Sequence, residues 1–162
     1  MLIGIVFFSR SNNTRTGAGY LAGKLGAELI ELVETKGRKG LTGFLKSGYQ
    51  AASGKKSELL GKPWKEIDKF ATIYLLTPIW AGNVTPAMNA FLQRADFSGK
   101  EVITITFQAD SKGDGSEKVH DHIRDLIESS GGKFLKGNTL HSAAPGKFAG
   151  KEYIESQIDG II

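Results

Sequence analysis

Short apolar runs recur along this chain, each broken by a polar bend and followed by apolar residues at helical spacing. Leu2 to Phe8, "FATIYLLTP" (Phe70 to Pro78) and "EVITITF" (Glu101 to Phe107) are strand-sized and almost continuously apolar. Runs of that kind suit strands buried on both faces of a parallel sheet. Between them lie stripes of Ala18, Leu21, Ala22 and Leu25, then of Met88, Phe91, Leu92 and Ala95, then of Val119, Ile123, Leu126 and Ile127. Each stripe predicts an amphipathic helix. Gly26 and Gly131–Gly132 are helix stops, and Thr85 before Pro86 is a helix start, with proline at the first helical position. "AELIELVE" adds an edge strand, "KFLKGNTL" a last strand and "KEYIESQIDGII" a closing helix. A further helix is expected between Lys36 and Lys56, carrying Leu41, Phe44, Leu45, Gly48, Tyr49 and Ala52. The alternation predicts an α/β chain: a doubly wound, five-stranded parallel sheet with helices on both faces. No repeat or linker divides it, so residues 1–162 are expected to form a single domain.

In such sheets ligands sit beyond the carboxyl ends of the strands, where the winding reverses. That rule selects the stretches Ser9–Thr14, Thr77–Asn83 and Gln108–Gly115, each directly after an apolar run. The first reads "SRSNNT". Ser9, Ser11 and Thr14 offer hydroxyls, Asn12 and Asn13 offer amides, and Arg10 and Arg15 bring positive charge. With the unpaired N–H groups of the following helix, the set could hold a phosphate. Each charge-assisted hydrogen bond contributes about 1.5–3 kcal/mol net, so four or five would anchor a cofactor. A well-capped helix start would use the same residue types, and composition does not separate the two readings. Neither GxxxxGK[ST] nor GxGxxG is present.

Other chemistries are poorly served. There is no cysteine, which removes disulfides, thiolate catalysis and Cys-held metals. His120 and His122 are two apart on an expected helix and diverge, while His141 is isolated, so no metal site is expected. Asp121 and Asp125 fall on a helix surface, no Ser-His-Asp set is legible, and no catalytic side chain is assigned. Lys and Arg number 21 against 17 acids, a net charge of +4 too mild to signal nucleic-acid binding. The "KGRKG" segment (Lys36–Gly40), with Lys46, Lys55 and Lys56, reads as solvated surface, or as a reception site for an extra phosphate or an anionic partner. The opening "MLIGIVFF" lacks a basic lead-in and is too short to cross a membrane, so a cytoplasmic protein is expected.

"SRSNNT" resembles the phosphate-binding loop of flavodoxin-like proteins, Ser/Thr-x-Thr-Gly-Asn-Thr. Ser9, Asn13 and Thr14 match it, Ser11 substitutes one hydroxyl for another, and Arg10 takes the open position. Asn12 stands where glycine is usual, and asparagine tolerates a left-handed backbone better than most residues. "TPIWAGNVTPAMNAFL" is similar to the Thr-Pro-(Ile/Val)-Trp/Tyr-x-Gly stretch of flavodoxin-like oxidoreductases. The resemblance implies strand order 2-1-3-4-5 and an FMN cofactor, its ring held between the second and third loops. Trp80, placed in a loop after the third strand, would wall the ring, and Gly82 would let the backbone approach. Thr77, Pro78, Ile79, Ala81 and Asn83 would add contacts. Trp64, beside Pro63, is expected to be structural.

The third loop, "QADSKGDGS", departs most from the family's small-residue run. Gln108, Ala109, Asp110, Gly113 and Gly115 are its expected cofactor contacts. Asp110, Lys112 and Asp114 either point to solvent, the commoner outcome for such residues, or lie near the flavin. In the second case Lys112 near N1 would raise the potential and the aspartates would lower it. The resemblance implies one of two activities. One is an NAD(P)H-dependent oxidoreductase delivering electrons to a quinone-like or other small acceptor. The other is a one-electron carrier docking to redox proteins. Carrier flavodoxins are usually strongly acidic and this chain is basic, which favours the oxidoreductase. Partners are then small-molecule donors and acceptors or a redox protein, with a homodimer left open.

Overall fold

The computed structural model describes residues 2–35, 57–110 and 115–162. The helix expected between Lys36 and Lys56, together with Lys112, Gly113 and Asp114, lies outside the described residues. The elements run β1 (Ile3–Phe7), α1 (Asn13–Leu25), β2 (Glu28–Glu31) and α2 (Pro63–Glu66), which continues into a 3-10 turn at Ile67–Lys69. They continue with β3 (Thr72–Trp80), β4 (Asn83–Val84), α3 (Pro86–Leu92), β5 (Glu101–Gln108), α4 (Ser116–Ser129), β6 (Lys133–His141) and α5 (Lys151–Asp159).

The sheet order is β2-β1-β3-β5-β6, every neighbour parallel, with β4 returning antiparallel on the end of β3. Leaving out β4, this is the order 2-1-3-4-5 that the resemblance implied. β4 exists because Ala81 and Gly82 both take positive φ, 48° and 69°. Two such residues make a tight hairpin turn. Ile79 then pairs with Val84 and Trp80 with Asn83. This corrects the expectation that Trp80 lies in a loop: β3 continues through it, held by the hairpin pairing.

Alternate strand residues feed two cores. Val6, Ile73, Leu75 and Val102 pack with α3 and α4 through Phe91, Val119, Ile123 and Ile127. Ile5, Phe7, Leu76, Ile105 and Phe107 face the other way, against Ala18 and Leu21 of α1 and Ile154 and Ile158 of α5. Burial on both faces explains why the central strands lack a polar alternation, whereas the edge strand β2 exposes three of its four residues. Close approach also matters at Gly17, where an added Cβ would lie 2.7 Å from Phe107 Cζ. Any larger residue would push α1 away from β5.

Helix boundaries follow local chemistry. Thr85 caps α3 by accepting from the Met88 N–H at 3.3 Å, and Pro86 follows as its first residue. α1 ends at Gly26, left-handed at φ 61°, and the Ala27 N–H bonds back to the Ala22 carbonyl at 3.1 Å. Trp64 packs against the first core beneath the Arg94 guanidinium, 4.7 Å from the ring centroid.

A buried imidazole joins α4 to the sheet. His120 Nδ1 lies 2.7 Å from Thr104 Oγ1, and its Nε2 lies 3.2 Å from Thr106 Oγ1 and 3.1 Å from Thr139 Oγ1. Gly137 makes room for it, since a Cβ there would fall 2.4 Å from His120 Nδ1. Burial holds the imidazole's pKa below its ordinary value, the nearby Arg124 charge adds to the effect, and Asp121 opposes it. A histidine with a depressed folded pKa contributes stability above its unfolded pKa and loses it as pH falls through the folded one. The unfolding midpoint in urea should therefore drop from about pH 7.5 to about pH 5.5, and drop less in His120→Gln. Equal slopes in the two proteins would show that His120 carries none of the dependence.

Candidate functional site

β1 pairs with β3 only as far as Phe7 opposite Leu76. Beyond that point β1 turns into the Ser9–Asn12 bend while β3 continues through Pro78, whose missing N–H faces no β1 partner. A cavity of about 300 Å³ opens there, at the carboxyl ends of β1, β3, β5 and β6. Arg10, Ser11, Asn13 and Thr14 form one end, Pro78, Ile79, Trp80 and Ala81 one wall, and Phe107 and Ala109 contribute from β5. The remaining wall is Ser142, Ala143, Ala144, Pro145 and Gly146. The sequence reading missed this segment, for it follows an edge strand of mixed polarity and contains no charge or cluster of donors.

The first bend has the features an anion needs. Asn12 is left-handed, φ 65°, and as the residue preceding α1 it makes no side-chain capping bond. Its Oδ1 instead accepts from Arg15 Nη1, and Arg15 also bonds Glu31. Arg15 is thereby turned outward. Ser9 Oγ is buried and, among the described residues, is the one buried side-chain nitrogen or oxygen without a hydrogen-bond partner. A buried hydroxyl left unpaired costs about 1–3 kcal/mol, so Ser9 is a donor waiting for an acceptor. Thr14, 2% exposed, lines the cavity from the first turn of α1. The residues present thus fit a phosphate.

Asn13 is different. Its Nδ2 donates to Ser11 Oγ at 3.0 Å and to the Lys147 carbonyl at 2.8 Å, and its Oδ1 accepts from the Ala149 N–H at 2.8 Å. The side chain is 5% exposed and both its donors are engaged within the protein.

The aromatic wall is built from three groups. Trp80 meets Phe8 edge-on, centroids 5.5 Å apart at 82°, and the Arg10 guanidinium lies 5.8 Å from the Trp80 centroid. Among the described residues that line the cavity, Arg10 is the cation and none is a carboxylate. A flat, largely apolar ligand with an anionic tail matches this distribution.

Several expected contacts have other positions. Thr77 is fully buried, and its hydroxyl lies 3.1 Å from Thr85 Oγ1. Gly82 and Asn83 border a separate cavity of about 130 Å³ with Asn89, Lys118 and His122. Asn83 Nδ2 donates to the Ala81 carbonyl at 2.7 Å, fastening the hairpin turn. Gln108 is buried and donates through Nε2 to the Asp110 carbonyl at 3.1 Å, while its own carbonyl accepts from the Ser142 N–H at 2.7 Å. Asp110 is exposed, and Gly115 (φ 82°) precedes α4. His141 also braces the third loop, with Nε2 3.1 Å from the Ala109 carbonyl and Nδ1 2.7 Å from the Tyr153 hydroxyl. Among the described residues no group of acids and histidines could hold a metal ion, and no helix is long and apolar enough to cross a membrane.

Comparison with known proteins agrees with this architecture. The flavodoxin family profile matches residues 49–154. A protein of Bacteroides uniformis, named as a candidate flavoprotein, superimposes with a TM-score of 0.73 at 21% identity, covering 98% of this chain and 97% of its own. A Lactobacillus acidophilus flavoprotein in complex with FMN gives 0.65 at 16% identity over 85% and 92% of the two chains. Oxidised flavodoxin 2 from Bacillus cereus gives 0.58 at 16% identity over 98% and 96%. No curated protein sequence matches the chain significantly.

The unpaired Ser9 hydroxyl yields a test on the unliganded chain. Ser9→Ala removes a buried polar atom that the fold leaves unsatisfied, so the empty protein should gain about 1 kcal/mol of stability, read from urea unfolding. A loss of stability would mean that the hydroxyl already has a partner.

Proposed function

Because the chain belongs to the flavodoxin family, we propose that it binds FMN in this cavity as a flavoprotein oxidoreductase, with residues 1–162 forming one flavodoxin-like domain. The observation that carries the reading is the buried, unpartnered Ser9 hydroxyl beside a helix start with no side-chain cap. Ser11 and Thr14, which line the cavity, with the adjacent Ser9 hydroxyl and the first N–H groups of α1, would hold the phosphate. Arg10 would add positive potential at the same end, and Asn12 would shape the bend. Pro78, Ile79, Trp80, Ala81, Phe107 and Ala109 would exclude water from the ring.

Bound FMN would supply the redox chemistry that links a nicotinamide donor, NAD(P)H, to a quinone-like or other small acceptor. The protein's own contribution is binding, orientation and electrostatic tuning, so no side chain needs a covalent role. The Arg10 guanidinium among the lining residues would favour the more negative, reduced form of a bound group. The net charge of +4 supports an oxidoreductase meeting small anionic donors rather than a carrier docking on proteins. A cytoplasmic setting fits a nicotinamide donor.

The purified protein mixed with FMN should keep near-ultraviolet and blue absorption bands after desalting. NADPH should bleach the blue band anaerobically, and an added quinone should restore it with turnover. A flavin that stops at the one-electron-reduced state and ignores NADPH would identify the carrier instead. Complete loss of the bands on desalting, with no heat of FMN binding by calorimetry, would end the flavoprotein reading.

A further inference from the structure

We propose that Asn13 is a positioning residue rather than a phosphate ligand: it ties Ser142–Ala149 to the first bend and makes that segment a fourth cofactor-binding loop. The inference rests on the FMN reading for the identity of the ligand, but the tether itself is a property of the unliganded chain.

Three observations converge. First, the Asn13 side chain has no donor left for a ligand. Nδ2 has two hydrogens, and they go to Ser11 Oγ and the Lys147 carbonyl. Second, the partners on the far side are backbone groups 134 and 136 residues away, so the bonds fasten one loop to another and do not merely cap a helix. The two contacts bracket Phe148, 49% exposed, which has little packing of its own to hold the segment. Third, the other end of the segment is also pinned by main chain, where the Ser142 N–H donates to the Gln108 carbonyl at 2.7 Å. Between these fastenings Ser142, Ala143, Ala144, Pro145 and Gly146 line the cavity opposite the β3 wall.

The consequence is a coupling. Ser11 lines the phosphate end and accepts from Asn13, so one buried amide touches both the anion cradle and the wall that faces the rest of the ligand. Losing it should weaken recognition of the ring and ribityl portion as well as the phosphate. A residue that serves only the phosphate would behave otherwise, because riboflavin, which lacks that group, would bind as before.

Two readouts test this with Asn13→Ala. Trypsin cleaves after lysine, and Lys147 supplies the carbonyl that Asn13 holds. In the unliganded variant, cleavage after Lys147 should accelerate about tenfold while cleavage after the exposed Lys24 and Lys69 stays at the wild-type rate. In fluorescence titrations, affinity should fall about tenfold for FMN and by a similar factor for riboflavin. Ala149→Pro removes one bonded N–H and leaves the first bend intact. It should reproduce both changes, and it stands in if Asn13→Ala fails to fold by circular dichroism. Unaltered cleavage after Lys147 would overturn the tether. A fall for FMN with riboflavin unchanged would overturn the positioning role and return Asn13 to the phosphate. If the wild-type protein binds neither flavin, the FMN reading fails, and the trypsin comparison still decides whether Asn13 holds the loop.

Discussion

The parting of β1 from β3 after Phe7 and Leu76 is the constraint on which the rest of the structure depends. Up to that pair the two strands share a ladder and bury both faces. Beyond it β1 has to reverse quickly into α1, and β3 continues without β1 beside it. Asn12 makes the reversal possible by adopting a left-handed backbone that a branched residue would resist. Pro78 fits this part of β3 because β1, which has already turned away, requires no donor from it. The gap between the two strands becomes the cavity, so the position of the site follows from backbone geometry before any side chain is considered.

Electrostatics then divides the two arginines of the first bend. Arg15 is drawn outward by Asn12 and Glu31, with about half its side chain exposed, so the ion pair is screened and contributes little to stability. Its effect is positional, since it keeps a second guanidinium away from the cavity. Arg10 lies against Trp80, where an aromatic face substitutes for part of its hydration. The cavity therefore has one positive end and apolar walls, a distribution that suits a planar group with an anionic tail better than a fully charged ligand.

The sequence made the central architecture legible because continuous apolar runs have one economical explanation, a strand covered on both sides. Leu2–Phe8 and Glu101–Phe107 were readable for that reason, as was the helix start at Thr85–Pro86. β4 was not, since its existence depends on Ala81 accepting positive φ, and alanine gives no local sign of that. The Ser142–Gly146 wall was equally hidden. β6 is an edge strand with an irregular polar pattern, its register skips Leu135 opposite Val102–Ile103, and the loop that follows is compositionally plain. Its proximity to the first bend depends on contacts more than 130 residues apart, which no local pattern encodes. Thr77 shows a motif residue with an interior side chain. It sits in a stretch with a ligand-like motif, yet β-strand alternation turns its hydroxyl to Thr85 and the interior.

Satisfaction of hydrogen bonds separates binding groups from scaffold where residue type cannot. Within Ser9–Thr14, Asn13 is the most polar buried side chain, and its capacity is used inside the protein. Ser9, with a single hydroxyl, is left without a partner. A fold tolerates an unmet buried donor when something else meets it in the functional state, because the desolvation penalty is then offset by the ligand. A fold does not hold a fully engaged amide in reserve for a ligand, because using it would first break bonds of similar strength. The two residue types therefore differ in role: Ser9 has an unmet hydroxyl, and Asn13, although it borders the cavity, has its amide closed around the frame. The frame holds Ser11, whose hydroxyl borders the cavity, against the segment that carries Lys147 and Ala149.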